Sequence, residues 1–372
     1  MSRSFFFAGG GTGGHIYPAI AVAERIAKLE PAARIHFLCS NRPIDSQILG
    51  KAGFQFTPLP AQGFSVRPTQ LLGFITSFWH STQIVRRLIA ASDDPMVVGV
   101  GGFAAAPAAL AAHILKTPLA LINIDIVPGK ANRLIARWAD AVFVQFDDTR
   151  QAFAKCRDRV HVVGCPLRTD FDAPQPDRAR EQLRLDRSRK VLLVTGASSG
   201  AQNINQAICE LLPKLDAFAA DWQIVHLTGT RNFDQVSQRY QQAKIPHKVA
   251  AYYDQMADLY AAADLVIGRS GAVSVAEYAA SGVPSICMPY PYHKDRHQYR
   301  NAGKLVEVGA AIIVDDVPDL TDRVEWLWEE MEDLMRHDDK RREMSQACRQ
   351  VGRPDAAIQI ARHLLQLGPR RQ

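Results

Sequence analysis

Strand-like apolar runs alternate with helix-patterned stretches along almost the whole chain, and the alternation comes in two series. The first reads as strands at Ser4 to Ala8, Ile35 to Cys39, Met96 to Val100, Leu119 to Ile122, Ala141 to Gln145 and His161 to Val163. The second reads as strands at Lys190 to Thr195, Gln223 to Leu227, Lys248 to Ala251, Leu265 to Gly268, Ser285 to Met288 and Ala311 to Val314. Apolar runs separated by helical patterns are the mark of parallel strands covered by helices on both faces. The expectation is an α/β protein of two doubly wound, Rossmann-like domains facing a cleft. A length of 372 residues also exceeds what one hydrophobic core usually serves. The polar stretch Pro166 to Ser188, with Pro174 and Pro176, reads as an irregular linker. This divides the chain into domains 1–165 and 166–350, with a C-terminal helix at 354–368 crossing back to the first.

Composition narrows the function classes. The chain is 47% hydrophobic and 22% charged, with no apolar run long enough to span a bilayer. A net charge of +6 without a lysine or arginine block argues against a nucleic-acid surface and leaves a mild attraction to anionic lipid or phosphate. The six cysteines are scattered, with neither metal-type pairs nor a disulfide framework, which fits a reducing cytoplasm. The N-terminal run Phe5-Phe6-Phe7-Ala8 enters a glycine loop, so it reads as a buried strand and not as a targeting segment.

That loop, Gly9-Gly10-Gly11-Thr12-Gly13-Gly14-His15, lies between a strand and a helix. Glycines let backbone approach an anion, and a helix start offers N–H groups and partial positive charge. The pattern Gly9-x-Gly11-x-x-Gly14 matches a dinucleotide fingerprint, but the second strand ends Cys39-Ser40-Asn41 without the acid that holds a ribose. An NAD site therefore lacks its second contact. His15 adds what a plain cofactor loop does not need, an imidazole suited to acid–base chemistry. Two further glycine turns follow strands, at Gly99-Val-Gly-Gly-Phe103 and Gly196-Ala-Ser-Ser-Gly200. In the second half Glu277 follows Arg269-Ser-Gly-Ala272 near the carboxyl edge of a strand, where a carboxylate suits a ribose diol. The cluster His293-Lys-Asp-Arg-His-Gln298 suits sugar hydroxyls or phosphate.

Taken in order, Gly10 to Pro18, Gly99 to Phe103, Val163-Gly-Cys-Pro-Leu-Arg168, Gly196 to Ala201, Arg269 to Glu277 and His293 to Asn301 resemble the MurG family, over roughly residues 5 to 315. The family comprises peptidoglycan transferases that move N-acetylglucosamine from UDP to a lipid-linked muramyl peptide, and the resemblance implies the GT-B glycosyltransferase fold. It further implies that the second domain holds UDP-N-acetylglucosamine. Arg168 and Ser198 would meet the diphosphate, and backbone near Tyr253 and Ala272 the uracil. The run Ala272, Val273, Ser274, Val275, Ala276 and Glu277 would line the nucleoside, with Glu277 on the ribose, and Gln298 would meet the sugar. Thr12, Gly13, Gly14 and His15 would face the acceptor pyrophosphate. The sequence departs from the family at Asn123-Ile-Asp-Ile-Val-Pro-Gly129, one residue shorter than the usual His-Glu-Gln-Asn run, so that Asn123 and Asp125 stand in for the usual amide and carboxylate. Ser199 replaces a common glutamine, and His297 the first of two.

The expected reaction is a single displacement with inversion, with Asp125 or His15 taking the acceptor proton while Arg168 and helix starts stabilise departing UDP. No metal and no cofactor is demanded, because there is no Asp-x-Asp motif and arginine with helix starts can carry the diphosphate charge. A lipid-linked acceptor requires the inner face of the cytoplasmic membrane. The segment Phe64 to Leu88 offers apolar Leu71 to Ile75 and Phe78-Trp79 flanked by Arg67, Arg86 and Arg87. Competing readings are a transferase with another lipid or glycan acceptor, a UDP-sugar epimerase, and a nucleotide-sugar binding protein without turnover.

Overall fold

A computed structural model describes residues 2–11, 13–63, 68–196 and 200–368. The chain divides into two compact units, Met1–Arg168 with Pro354–Gln372, and Thr169–Arg353.

The first unit is built on a seven-stranded sheet: β1 (Ser4–Gly9), β2 (Arg34–Ser40), β3 (Gln55–Leu59), β4 (Pro95–Gly101), β5 (Leu119–Asn123), β6 (Ala141–Val144) and β7 (Val160–Val162), in the order β3-β2-β1-β4-β5-β6-β7. The second carries six strands: β8 (Lys190–Thr195), β9 (Trp222–Leu227), β10 (His247–Ala250), β11 (Leu265–Gly268), β12 (Ser285–Cys287) and β13 (Ala311–Ile313), in the order β10-β9-β8-β11-β12-β13. Every pairing in both sheets is parallel. Both are doubly wound, Rossmann-like sheets, and in each the strand order reverses at one point, between β1 and β4 and between β8 and β11.

The apolar runs are strands because both their faces are covered. Phe5 and Phe7 are fully buried, and Phe7 stacks on Phe37 of β2 at 5.3 Å between ring centroids. In the second unit Leu192, Val194, Ile224, Ile267 and Ile286 form one core with Leu211, Leu212, Leu327 and Met331 of the covering helices. Each such aliphatic side chain contributes about 1.5 to 3 kcal/mol by leaving water. The C-terminal helix Ala356–Gln366 packs along helix Gly13–Leu29 in the first unit, and the Arg3 guanidinium donates to the carbonyls of Leu364 and Leu365 at 3.1 Å.

Two features differ from the expectation. β3 has no strand-like signature in the sequence, since Gln55-Phe-Thr-Pro-Leu59 contains a proline. Its place explains it: β3 is an edge strand, where a missing N–H costs no ladder bond. The stretch Pro166 to Ser188 is not irregular throughout, because Pro176 opens the helix Pro176–Gln182. Proline is well suited to a first helical turn, whose N–H has no intrahelical partner. Arg180 of this helix pairs with Asp264 at 2.7 Å and so ties it to the second unit.

Candidate active site

Ligands of open parallel sheets bind beyond the carboxyl ends of the strands, where the order reverses. Four glycine turns lie at the two reversals: those after β1 and β4 in the first unit, and those after β8 and β11 in the second. Thr12 and Ser198, expected in two of these turns, lie outside the described residues.

In the first unit the two turns pack backbone against backbone. Gly102 has φ +78°, and a Cβ there would lie 2.4 Å from the Gly10 carbonyl oxygen. Gly101 has φ +98°, and a Cβ there would lie 2.8 Å from His15 Cδ2 and 3.0 Å from Nε2. The second turn is therefore glycine-rich because the imidazole of His15 lies against it. His15 is half-buried in the first turn of helix Gly13–Leu29. Burial pushes its pKa below the ordinary 6.5, while the charges of Asp125 and then Asp45 pull it back up. The folded ring is thus neutral near pH 7, the form that accepts a proton.

Asn123 ends β5 almost fully buried. Its Nδ2 donates to the Asp125 carbonyl at 2.7 Å, and its Oδ1 accepts from Nδ2 of Asn132 at 2.9 Å. The shortened segment is therefore a turn closed by its own asparagine, with the Asp125 carboxyl half-buried and within electrostatic reach of His15. Arg168 lays its guanidinium over the Tyr17 ring of the same helix that carries His15, 5.0 Å from the centroid. Gly13, Gly14, His15, Asn123, Asp125 and Arg168 all belong to the first unit.

Two residues of this site were not singled out in the sequence. Asn132 is one: its amide lies 3.7 Å from the Cβ position of Gly101, alongside His15. Asp45, on helix Pro43–Lys51, is the other and matters more. Fully buried, it accepts the Gly11 N–H at 2.8 and 3.1 Å, the Ser40 N–H at 3.0 Å and the Ser40 hydroxyl at 2.6 Å. Arg42 donates to the Gly11 carbonyl at 2.6 Å. The expected phosphate cradle is accordingly part-filled by the protein itself, since a carboxylate already holds the Gly11 N–H. What remains for an anion is the helix start at Gly13, Gly14 and His15, where the helix dipole places partial positive charge. The signal was available: an acid stands in the first turn of the helix that follows β2.

In the second unit, helix Ala272–Ser281 begins directly after β11 with Gly271 in extended conformation at its cap. Ala272 and Val275 are buried, while Val273, Ser274, Ala276 and Glu277 are half-buried, as is Tyr253 beyond β10. Burial and then the Asp258 charge push the Tyr253 phenol upward. The turn before the helix is braced from below and from the side. The buried Tyr278 hydroxyl donates to the Arg269 carbonyl at 2.8 Å, Ser270 Oγ to the Gln298 carbonyl at 3.0 Å, and Asn301 Nδ2 to the Ser270 carbonyl at 3.3 Å. Gln298 Oε1 accepts the Tyr290 N–H at 2.9 Å, which fixes the orientation of its amide. Tyr253, the 272–277 run and Gln298 thus lie in the second unit, on segments that follow β10, β11 and β12.

All six cysteines are buried thiols outside any disulfide, and burial pushes Cys39, Cys287 and Cys348 up to about 12 and Cys209 to about 11. None of these four is a thiolate nucleophile near neutrality. The ionisable groups gathered at the candidate site of the first unit include the His15 imidazole and the carboxyl groups of Asp45 and Asp125.

Comparison with known proteins covers both units. Residues 5–144 match the glycosyltransferase family 28 N-terminal domain, and residues 191–360 the family 28 C-terminal domain. A Salinibacter ruber protein named UDP-N-acetylglucosamine–N-acetylmuramyl-(pentapeptide) pyrophosphoryl-undecaprenol N-acetylglucosamine transferase is 35% identical over 97% of this chain and 96% of its own length. The Caldanaerobacter subterraneus protein of the same name is 32% identical over 96% and 97%. The crystal structure of Acinetobacter baumannii MurG is similar with a TM-score of 0.74 at 23% identity, covering 99% of this chain and 100% of that one, a likeness of fold. With both halves matched by one family's domains and relatives above 30% identity along almost the full length, the chain belongs to glycosyltransferase family 28 and, within it, to the MurG family.

Proposed function

We propose that this glycosyltransferase moves N-acetylglucosamine from UDP-N-acetylglucosamine to undecaprenyl-pyrophosphoryl-N-acetylmuramyl-pentapeptide, with inversion at the anomeric carbon, in peptidoglycan synthesis. The observation that supports it best is the pairing of glycine turns at both sheet reversals, one pair beside an imidazole and the other beside Glu277. In this reading the second unit receives the donor, with Glu277 accepting from the ribose hydroxyls, and the first unit receives the acceptor pyrophosphate at Gly13, Gly14 and His15. The acceptor oxygen forms its bond to the anomeric carbon as the bond from that carbon to the UDP oxygen breaks. The acceptor proton passes to neutral His15 or to Asp125, and the charge gathering on UDP meets Arg168 and the helix starts of the second unit.

The direct test is purified protein with labelled UDP-N-acetylglucosamine and the undecaprenyl-linked muramyl peptide. Labelled lipid product should form only when both substrates are present. Consumption of donor without acceptor, or product only with a different lipid or glycan, would overturn this assignment.

Among the described residues no helix is long and apolar enough to cross a membrane. A lipid-linked acceptor then calls for a surface that meets the inner face of the cytoplasmic membrane, and helix Pro68–Ala90 offers one. Leu72 is 69% exposed and Trp79 51% exposed, with exposed Ile75 between them, so the three share one stripe at spacings of three and four. Arg87 is exposed near the end of the helix, whereas Arg67 lies outside the described residues. The double variant Leu72→Asp/Trp79→Asp is expected to bind anionic vesicles at least about tenfold more weakly in co-sedimentation, with UDP affinity unchanged. Equal sedimentation of variant and wild type would remove this surface from consideration.

A further inference from the structure

Behind the turns of the second unit lies a polar cluster to which the reaction described so far gives no part. Asp316, just after β13, is 2% exposed, and its carboxylate meets three segments. It pairs with Arg269 Nη2 at 2.8 Å and with Arg323 Nε at 3.4 Å, and it accepts from Asn203 Nδ2 at 2.8 Å. Both guanidinium groups are themselves buried and further bonded. Arg269 Nη1 donates to the Met288 carbonyl at 2.7 Å. Arg323 donates to the carbonyls of Val317 and Pro318 at 3.1 Å and of Asn203 at 3.3 Å.

The segments so joined are the ones expected to hold a donor. Asn203 lies in the first turn of helix Gln202–Leu215, directly after the glycine turn that follows β8. Arg269 opens the turn that leads into the 272–277 run, and through Ser270 that turn is bonded to the Gln298 backbone. Buried charge is retained at a net cost unless its partners are well placed, and a charged group left without them is strongly destabilising. Here two guanidinium groups share one carboxylate, so removing that carboxylate leaves two buried positive charges facing each other with no anion between them. The arrangement must then open, and the start of helix Gln202–Leu215 and the turn at Arg269 move with it.

We infer that Asp316, acting through Asn203 and Arg269, is a positioning residue for the nucleoside diphosphate site: it holds the start of helix Gln202–Leu215 and the turn after β11 in the one relative placement that fits a diphosphate. The inference rests on the second unit being the donor side. It goes beyond that reading by assigning the register of this helix start and the turn after β11 to a buried carboxylate outside both of them.

The test uses the full chain and UDP as probe. Asp316→Asn, which keeps the shape and removes the charge, is expected to weaken UDP binding by calorimetry at least about tenfold, since displacements near 1 Å at a site carry effects of this size and larger. Donor KM should rise in parallel while acceptor KM stays unchanged. Asn203→Ala, which removes one leg of the tether without uncovering a charge, carries the same expectation. The double variant should lose less than the sum of the two, as residues of one network do. UDP binding that is unchanged or tighter in Asp316→Asn, or strict additivity with Asn203→Ala, overturns the inference while leaving the donor assignment intact. A loss of thermal stability with UDP affinity and donor KM unchanged assigns the cluster to folding alone and overturns it as well. Wild-type protein that does not bind UDP overturns the donor assignment itself.

Discussion

His15→Ala is expected to lower transferase turnover by about 10²- to 10⁴-fold, the range spanned by positioned general acids and bases, while leaving UDP affinity unchanged. The ring sits in the first turn of its helix, against the Gly101 backbone, so its removal opens a space at the surface of the turn without disturbing the sheet. A purely structural role would show the reverse pattern, a lower thermal midpoint with turnover preserved. The pH profile adds a second check with a defined sign. Burial lowers the His15 pKa below 6.5, so the neutral, proton-accepting form persists as pH falls to that point, and activity should decline only on the acid side of 6.5. Asp125 is the larger of the two charges that raise this pKa, so Asp125→Asn should move the acid limb further down. Should Asp125→Asn instead abolish turnover while His15→Ala retains it, the carboxylate is the base and the imidazole its neighbour. The same lowered pKa also makes the folded state lose stability as pH falls below about 6.5, because the unfolded chain then binds the proton more readily.

Asp45→Ala is expected to damage both stability and turnover. The substitution strips the acceptor from two backbone N–H groups, Gly11 and Ser40, and from the Ser40 hydroxyl, of which the Ser40 groups are buried and the Gly11 N–H half-buried. Each buried donor left unsatisfied costs about 1 to 3 kcal/mol, so the two N–H groups together amount to on the order of 3 kcal/mol. For a unit of this size that lowers the transition midpoint by about 10 °C. Calorimetry should show the first unit's transition falling while that of the second holds. Turnover should fall as well, because the Gly11 backbone precedes His15 by four residues and loses its anchor. Asp45→Asn keeps one acceptor oxygen and is expected to fall between wild type and alanine. A variant with wild-type midpoint and turnover would show that the turn is held by Arg42 and the sheet alone.

The fold was legible because parallel strands must be apolar on both faces, and runs such as Val191-Leu-Leu-Val and Leu265-Val-Ile-Gly admit few other states. β3 escaped because an edge strand is free of that requirement, and Pro58 hides it further. The candidate residues that local pattern singles out, His15, Glu277, and Asn123 with Asp125, all stand at or shortly after the end of a strand. Residues that reach the turns from another element are not singled out in this way. Asp45 acts from 34 positions beyond Gly11, and Asp316 from 113 beyond Asn203. No local pattern encodes those distances; they are set by the parallel sheet, which brings the carboxyl ends of strands far apart in sequence to one edge.

The return of helix Ala356–Gln366 to the first unit has a consequence for how the protein is made. Residues 1–168 leave the ribosome before Thr169–Arg353, yet one flank of helix Gly13–Leu29 and the guanidinium of Arg3 wait for partners that are synthesised after that second unit. Order of synthesis and order of completion are therefore reversed: Thr169–Arg353 can finish its core first, whereas the earlier-made unit stays short of its buried Ile360 and Leu364 until helix Ala356–Gln366 emerges. A nascent chain stalled before residue 356 would carry a finished second unit and an unfinished first, with an apolar helix flank open to chaperones.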